Sequence, residues 1–132
     1  MIPLLLAFAA FHVPVTCDMQ VPPPPHQAAA GVYHPDTRTI QLRPSVCAAI
    51  DKARQGWAND GIALAVQTLG HELAHSYGIV NEDGAECVGH IFVGWVASSL
   101  GINMPTFRAI WELLSGYRLE ACLAWDAQGD HW

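Results

Sequence analysis

The sequence is poor in charged residues, and above all in cations. Charged side chains make up 14% of the 132 residues, and six Lys and Arg stand against twelve Asp and Glu, which gives a formal net charge of −6. An acidic chain without a basic cluster is poorly suited to bind nucleic acid or an anionic membrane surface, so we expect neither as a partner. The sequence also lacks a Gly-rich phosphate-binding loop and an internal repeat.

No hydrophobic run is long enough to cross a bilayer, which excludes an integral membrane span. The most apolar stretch is residues 2–11, which no Lys or Arg precedes and after which no clear small-x-small cleavage site precedes Cys17. Two interpretations of residues 1–12 stay open. They are a removed signal, or an apolar N-terminal segment that packs within the fold or against a protein partner.

Cysteines are few and none forms a C-x-x-C zinc pair. Two disulfides, in one of three pairings, and buried free thiols are both compatible with the four positions. The pair that we would test first is Cys17 with Cys47. The other two cysteines are Cys87 and Cys122.

What the chain does contain is the segment His71-Glu72-Leu73-Ala74-His75, a match to H-E-x-x-H. Residues four apart lie on the same face of an α-helix. Two imidazoles at this spacing can bind one Zn²⁺, and the intervening Glu lies beside the open metal position, where water is activated. The motif therefore predicts His71 and His75 as zinc ligands and Glu72 as a general base.

The residues before the motif predict the helix that it needs. Apolar residues recur at helical spacing and should form a buried stripe. Asn59 or Asp60 is placed to cap the start, and Gly78 to end the helix, over about residues 60–77. The stripe consists of Ile62, Val66, Leu69 and Leu73.

A catalytic zinc usually takes three protein ligands and one water, so a third ligand is required. If a second helix begins near Asn81, Glu82 and Glu86 share one of its faces. We predict Glu82 as the ligand and Glu86 as the acceptor of a ligand histidine's second N–H, which would fix the ring. The alternatives are that Glu86 is the ligand, or that these acids only complement the helix dipole.

These segments resemble the zincin metallopeptidases, and more narrowly the gluzincins, in which a Glu on a following helix is the third ligand. Residues 81–86, NEDGAE, have the spacing of the N-E-x-x-x-D segment of the thermolysin group, with Glu in place of Asp. The connection, residues 76–81, is much shorter and is more similar to metzincins. In that pattern the third ligand falls at Asn81, so it stays an alternative, although carboxylate is the better zinc ligand.

Over residues 13–90 the chain also resembles small, mostly uncharacterised actinobacterial and phage proteins of a minimal zincin type. The shared features are I-x-L-x-x-x-x-C from Ile40 to Cys47, the HELAH helix, and E-x-x-x-E-C from Glu82 to Cys87. No substrate follows from this resemblance. The localisation stays unknown, with a cytoplasmic or phage-associated site slightly favoured over secretion.

The predicted fold is α+β, a minimal zincin-like domain over residues 1–132 in which a small N-terminal sheet or hairpin packs on about four helices. Residues 21–25 are a Pro-rich extended connector. The free edge of the hairpin is suited to pairing with an extended substrate. The predicted strands are 13–17, 31–33 and 38–42, and the helices are 44–55, 60–77, 82–100 and 105–126, the last followed by a tail to 132.

The leading functional hypothesis is a zinc metallopeptidase that acts on a peptide or protein, with Glu72 as general base. One alternative is a non-catalytic zinc-stabilised interaction domain, whose closed site would take Glu86 or Cys87 as a fourth ligand. Another is a structural component of a phage or bacterial assembly, buried through the apolar N-terminus. The oxyanion partner stays open among Tyr77, His90, Tyr117 and Arg118.

Overall fold

A computed structural model describes residues 2–20 and 29–129, with the backbone alone at 117–119, so the predicted connector at 21–25 lies outside it. The fold is mixed α+β, as predicted. The strands are β1 (Val15–Thr16), β2 (Gly31–His34) and β3 (Thr39–Leu42). The helices are α1 (Leu4–Ala7), which continues as a 3-10 turn (Phe8–Ala10), α2 (Pro44–Arg54), α3 (Asp60–Ser76), α4 (Glu82–Leu100) and α5 (Met104–Asp126).

The three strands form one sheet in the order β1-β3-β2. The predicted hairpin is present, with Tyr33 opposite Ile40 in an antiparallel pair. On the other side of β3, Val15 pairs with Ile40 in parallel, so β1 is a shorter strand than predicted. Among the described residues, this order leaves one edge of β2 without a strand partner.

The four long helices begin and end within one residue of the predicted bounds because local end signals are strong. The side chains of Asn59, Asn81 and Asn103 each accept a hydrogen bond from the backbone N–H three residues on. Pro44 opens α2, where its fixed φ suits the first helical position. Gly101, at φ +75°, ends α4 in the left-handed conformation that glycine adopts without strain.

Helix α3 lies at the centre of the fold and contacts α2, α4, α5 and the sheet. Its predicted stripe, Ile62, Val66, Leu69 and Leu73, is buried in the main hydrophobic core. The apolar N-terminus joins the same core through Ala7, Phe8 and Phe11. In the full chain, residues 2–11 are therefore partly packed within the fold, and their removal as a signal stays an open interpretation.

Across the described residues, we find no helix that combines the length and the apolar character needed to cross a membrane.

Two disulfides tie the elements together. Cys17–Cys47, with an S–S distance of 2.05 Å, joins the chain after β1 to α2, and this is the pair favoured from the sequence. Cys87–Cys122 joins α4 to α5. No cysteine is left free, so the alternative of buried thiols is wrong.

We predict that replacing Cys17 and Cys47 together with Ala lowers the free energy of unfolding by about 2–4 kcal/mol, because the bridge restricts the unfolded chain. Denaturant unfolding under non-reducing conditions measures the change. An unfolding midpoint equal to that of the native chain would contradict this contribution.

Candidate metal centre

The two histidines of the motif lie one turn apart near the C-terminal end of α3, and their rings face the same point. The Nε2 atoms of His71 and His75 are 3.1 Å apart, and both side chains are largely buried, at 13% and 14% exposure. The i, i+4 spacing read from the sequence therefore brings two imidazoles together as expected.

Glu82, the first residue of α4, completes the group. One carboxylate oxygen is 2.7 Å from Nε2 of His75 and the other is 3.3 Å from Nε2 of His71. The three candidate donor atoms all lie within 4.8 Å of one another. The Glu82 side chain is 77% exposed, so the group is open to solvent on that side.

Each imidazole is held from behind through its other nitrogen. His75 donates from Nδ1 to the carbonyl oxygen of Ile79 at 2.6 Å. Nδ1 of His71 lies 2.6 Å from a carboxylate oxygen of Glu86, the contact predicted for that residue. Such partners fix the ring and its tautomer and leave Nε2 of each ring directed at the shared point.

A close crossing of α3 and α4 produces this geometry. A Cβ added to Gly70 would lie 2.5 Å from the carbonyl oxygen of Gly89, and one added to Gly89 would lie 2.6 Å from the backbone nitrogen of His71. The two backbones can therefore touch only because both positions are glycine. The contact lies next to His71 and three residues after Glu86, so it sets their hydrogen bond.

Glu72 lies beside the donor group and is 7% exposed. Burial raises the pKa of its carboxyl group, and the charges of His71 and His75 offset this only in part. The carboxylate also accepts a hydrogen bond from the backbone of Tyr33 on β2. A buried carboxyl with a raised pKa is a stronger proton acceptor than an ordinary exposed one, as a general base requires.

The contact between His71 and Glu86 shifts the pKa values of both groups in opposite directions. Burial lowers the pKa of His71, but the hydrogen bond to Glu86 and the surrounding carboxylates outweigh it, so the pKa is raised from 6.5. Burial raises the pKa of Glu86, but the hydrogen bond and charge of His71 outweigh it, so the pKa is lowered from 4.5. Without a metal, both shifts favour the charged forms, a protonated His71 beside an ionised Glu86.

A cleft of about 1040 Å³ opens beside the donor group. Its walls are β2, the turn after it, the turn between α3 and α4, and the residues before β1. His75 and Glu82 of the donor group face it, and so does Glu72. A second cavity of about 640 Å³, between α2 and α3, is lined mainly by apolar side chains and includes none of these residues.

The other sequence candidates divide into those near the cleft and those outside it. Asn81, the alternative third ligand, instead uses its side-chain oxygen to cap α4 by accepting the N–H of Gly84. Cys87 is in a disulfide. Of the oxyanion candidates, Tyr77 lines the cleft, whereas His90 is buried against Trp111. The remaining two, Tyr117 and Arg118, have side chains outside the described part.

Sequence reasoning missed several groups at the site. His12 is an exposed loop residue to which the sequence assigns no role, yet it lines the cleft, and its ring lies 4.3 Å from that of Tyr77. The backbone groups of Tyr33 and Ile79 that hold Glu72 and His75 have no side-chain signature at all. These three groups lie on a loop, a strand and a turn that are distant from one another in sequence. No local sequence pattern therefore predicts that they meet at the site.

No protein-family model matches the chain, and neither a curated protein nor a solved structure matches it.

We predict that Gly89→Ala lowers the free energy of unfolding by about 1–3 kcal/mol, because the added methyl group forces the two backbones apart. It should also separate His71 from Glu86 and weaken metal binding. Gly116→Ala is the matched control, since a Cβ on this exposed glycine of α5 meets nothing within 4 Å. Denaturant unfolding measures both variants. Equal changes in the free energy of unfolding for Gly89→Ala and Gly116→Ala would contradict a close contact between the α3 and α4 backbones.

We predict that the ion pair stabilises the metal-free chain most between about pH 4.5 and 6.5. Because the pKa of His71 is raised on folding, its contribution to the free energy of unfolding is complete at low pH. That contribution is lost as the pH rises through the pKa of His71 in the folded chain. The lowered pKa of Glu86 gives one that is lost as the pH falls. Denaturant unfolding of the native chain and Glu86→Gln, both in chelator, should show the largest difference in this window. A difference that grows towards pH 9 would contradict the pair.

Proposed function

We propose that this chain is a zinc-dependent peptidase, with His71, His75 and Glu82 as ligands and Glu72 as general base. The observation that carries the proposal is the convergence of the three donor atoms within 4.8 Å of one another beside a buried carboxyl group and an open cleft.

The donor chemistry fits a divalent cation. With its Nδ1 proton donated to Ile79, a neutral His75 directs a lone pair from Nε2 towards the oxygens of Glu82. Lone pairs that meet at this distance repel one another unless a proton or a metal cation lies between them. Two imidazole nitrogens and one carboxylate oxygen are a common ligand set of catalytic zinc.

The site is better suited to catalysis than to a structural role. A structural zinc is enclosed by four protein ligands, whereas a catalytic zinc keeps one position for water. Both residues considered for a fourth ligand are engaged elsewhere, since Glu86 contacts the far side of His71 and Cys87 is bonded to Cys122. When bound, zinc supplies Lewis-acid polarisation of a peptide carbonyl and makes a coordinated water more acidic.

The chain's own contribution to the reaction centres on Glu72. Its buried carboxylate would take a proton from the attacking water and pass it to the leaving amine, and its raised pKa suits both steps. The Tyr33 backbone orients the carboxylate, which also ties the general base to the strand at the edge of the cleft.

That strand supports a peptide as the substrate. The N–H of Ile40 and the carbonyl of Leu42 bond towards the β1 side of the sheet. Across the hairpin, both backbone groups of Gly31 and the carbonyl of Tyr33 are therefore available at the outer edge of β2, whereas the Tyr33 N–H is used by Glu72. An extended peptide can add there as a further strand and place a peptide bond against Glu72.

A second candidate is a non-catalytic interaction domain or a component of a larger assembly. It is favoured by exposed apolar side chains near the N-terminus, where Ile2, Leu5 and Leu6 are 58–64% exposed. In either case, two disulfides are typical of an oxidising compartment, which favours a location outside the cytoplasm.

We predict that Glu72→Gln lowers peptide cleavage by about 10²–10⁴-fold because it removes the base. It should retain about one zinc ion per chain. His75→Ala should lose both cleavage and zinc. The matched control is His34→Ala, since His34 bonds to Gln41 and does not belong to the donor group.

The measurements are cleavage of a mixed fluorogenic peptide library and metal analysis of the purified proteins. A zinc-loaded native chain that cleaves nothing would favour the second candidate. Undiminished cleavage by Glu72→Gln would rule out the proposed base.

A further inference from the structure

We propose that Gln128 is a positioning residue for the metal ligand Glu82, an inference that rests on the metal centre proposed above. Gln128 follows the end of α5 and is 46 residues after the ligand in sequence. Its amide nevertheless spans the two residues that flank Glu82, and so holds the first turn of α4 from outside.

Both halves of the Gln128 amide are used. Its oxygen accepts a hydrogen bond from Nδ2 of Asn81 at 2.6 Å, and its nitrogen donates to a carboxylate oxygen of Asp83 at 2.7 Å. The other end of the Asn81 amide accepts the N–H of Gly84 at 2.9 Å. One continuous set of hydrogen bonds thus runs from the end of α5 into the cap of α4.

Gln128 can restrain α4 because the end of α5 is itself anchored there. One and two turns before Gln128 lie Trp125, which is buried, and Cys122, which is bonded to Cys87 of α4. A Cβ added to Gly84 would lie 2.7 Å from the Trp125 ring, so that ring packs directly on the α4 backbone. The backbone N–H of Gln128 also bonds to the carbonyl of Trp125.

Glu82 needs such support more than the histidines do. Its side chain is 77% exposed and stands at the start of a helix, so ordering it to bind an ion costs conformational entropy. Holding the side chains of both neighbouring residues restrains the first turn of α4 and so reduces that cost before the ion arrives. The bond from Gln128 also holds the Asp83 carboxylate, a neighbouring oxygen donor, outside the three-residue group.

The test measures the dissociation constant for Zn²⁺ by competition with a chromophoric chelator. We expect Gln128→Ala to weaken zinc binding by about tenfold, the lower end of the effect of residues that orient metal ligands. The matched control is Gln55→Ala, which removes an exposed glutamine that also ends a helix and bonds to an Asp, but on α2. Gln55→Ala should leave the constant unchanged.

Repeating Gln128→Ala in a Glu82→Ala background separates positioning from general stability. If Gln128 acts through Glu82, it has nothing left to position, and the second substitution should cause no further loss. An equal loss in both backgrounds would overturn the inference. Melting curves check that the variants fold, and Gln128→Met, which keeps the volume without the hydrogen bonds, replaces Gln128→Ala if that variant does not.

The outcomes separate this inference from the proposed function. Zinc binding by the native chain with no change in Gln128→Ala overturns the role of Gln128 alone and leaves the peptidase proposal intact. A native chain that binds no zinc overturns both.

Discussion

The contact of two helix backbones at Gly70 and Gly89 is the constraint on which the site depends. It brings α4 against α3 at the level of the motif, so that Glu86 reaches His71. Interiors are packed too densely to absorb even one extra methyl group without movement. The geometry of the candidate site at the end of α3 therefore depends on a helix crossing at which both residues are glycine. One of them, Gly70, directly precedes the candidate ligand His71.

The parts of the fold that could be predicted are those encoded within a few residues of sequence. The helix of the motif follows from a stripe of apolar residues at helical spacing, and its start from Asn59 as cap. Glu82 and Glu86 could be assigned for the same reason, because a cap at Asn81 places both on one face of α4. Each of these inferences needs only helix geometry and one end signal.

The parts that could not be predicted join residues that are distant in sequence, or use backbone groups. Nothing local indicates that the Tyr33 backbone would bond to Glu72, that Ile79 would hold His75, or that Gln128 would bridge the cap of α4. Disulfide pairing also depends on distances across the fold, so the sequence favoured the pair Cys17–Cys47 but could not decide among the three pairings. The sequence thus predicted the donor atoms, whereas the groups that orient them required the structure.

The exposure of Glu82 has a kinetic consequence for any bound ion. Both histidines are largely buried and held from behind, so the solvent-facing carboxylate is the ligand that can detach first. Exchange with the medium would then proceed by the outward swing of one side chain, without opening of the hydrophobic interior. If zinc is the ion, as proposed, the occupancy of this centre would follow the free zinc concentration of its surroundings, because loading would not require the chain to unfold.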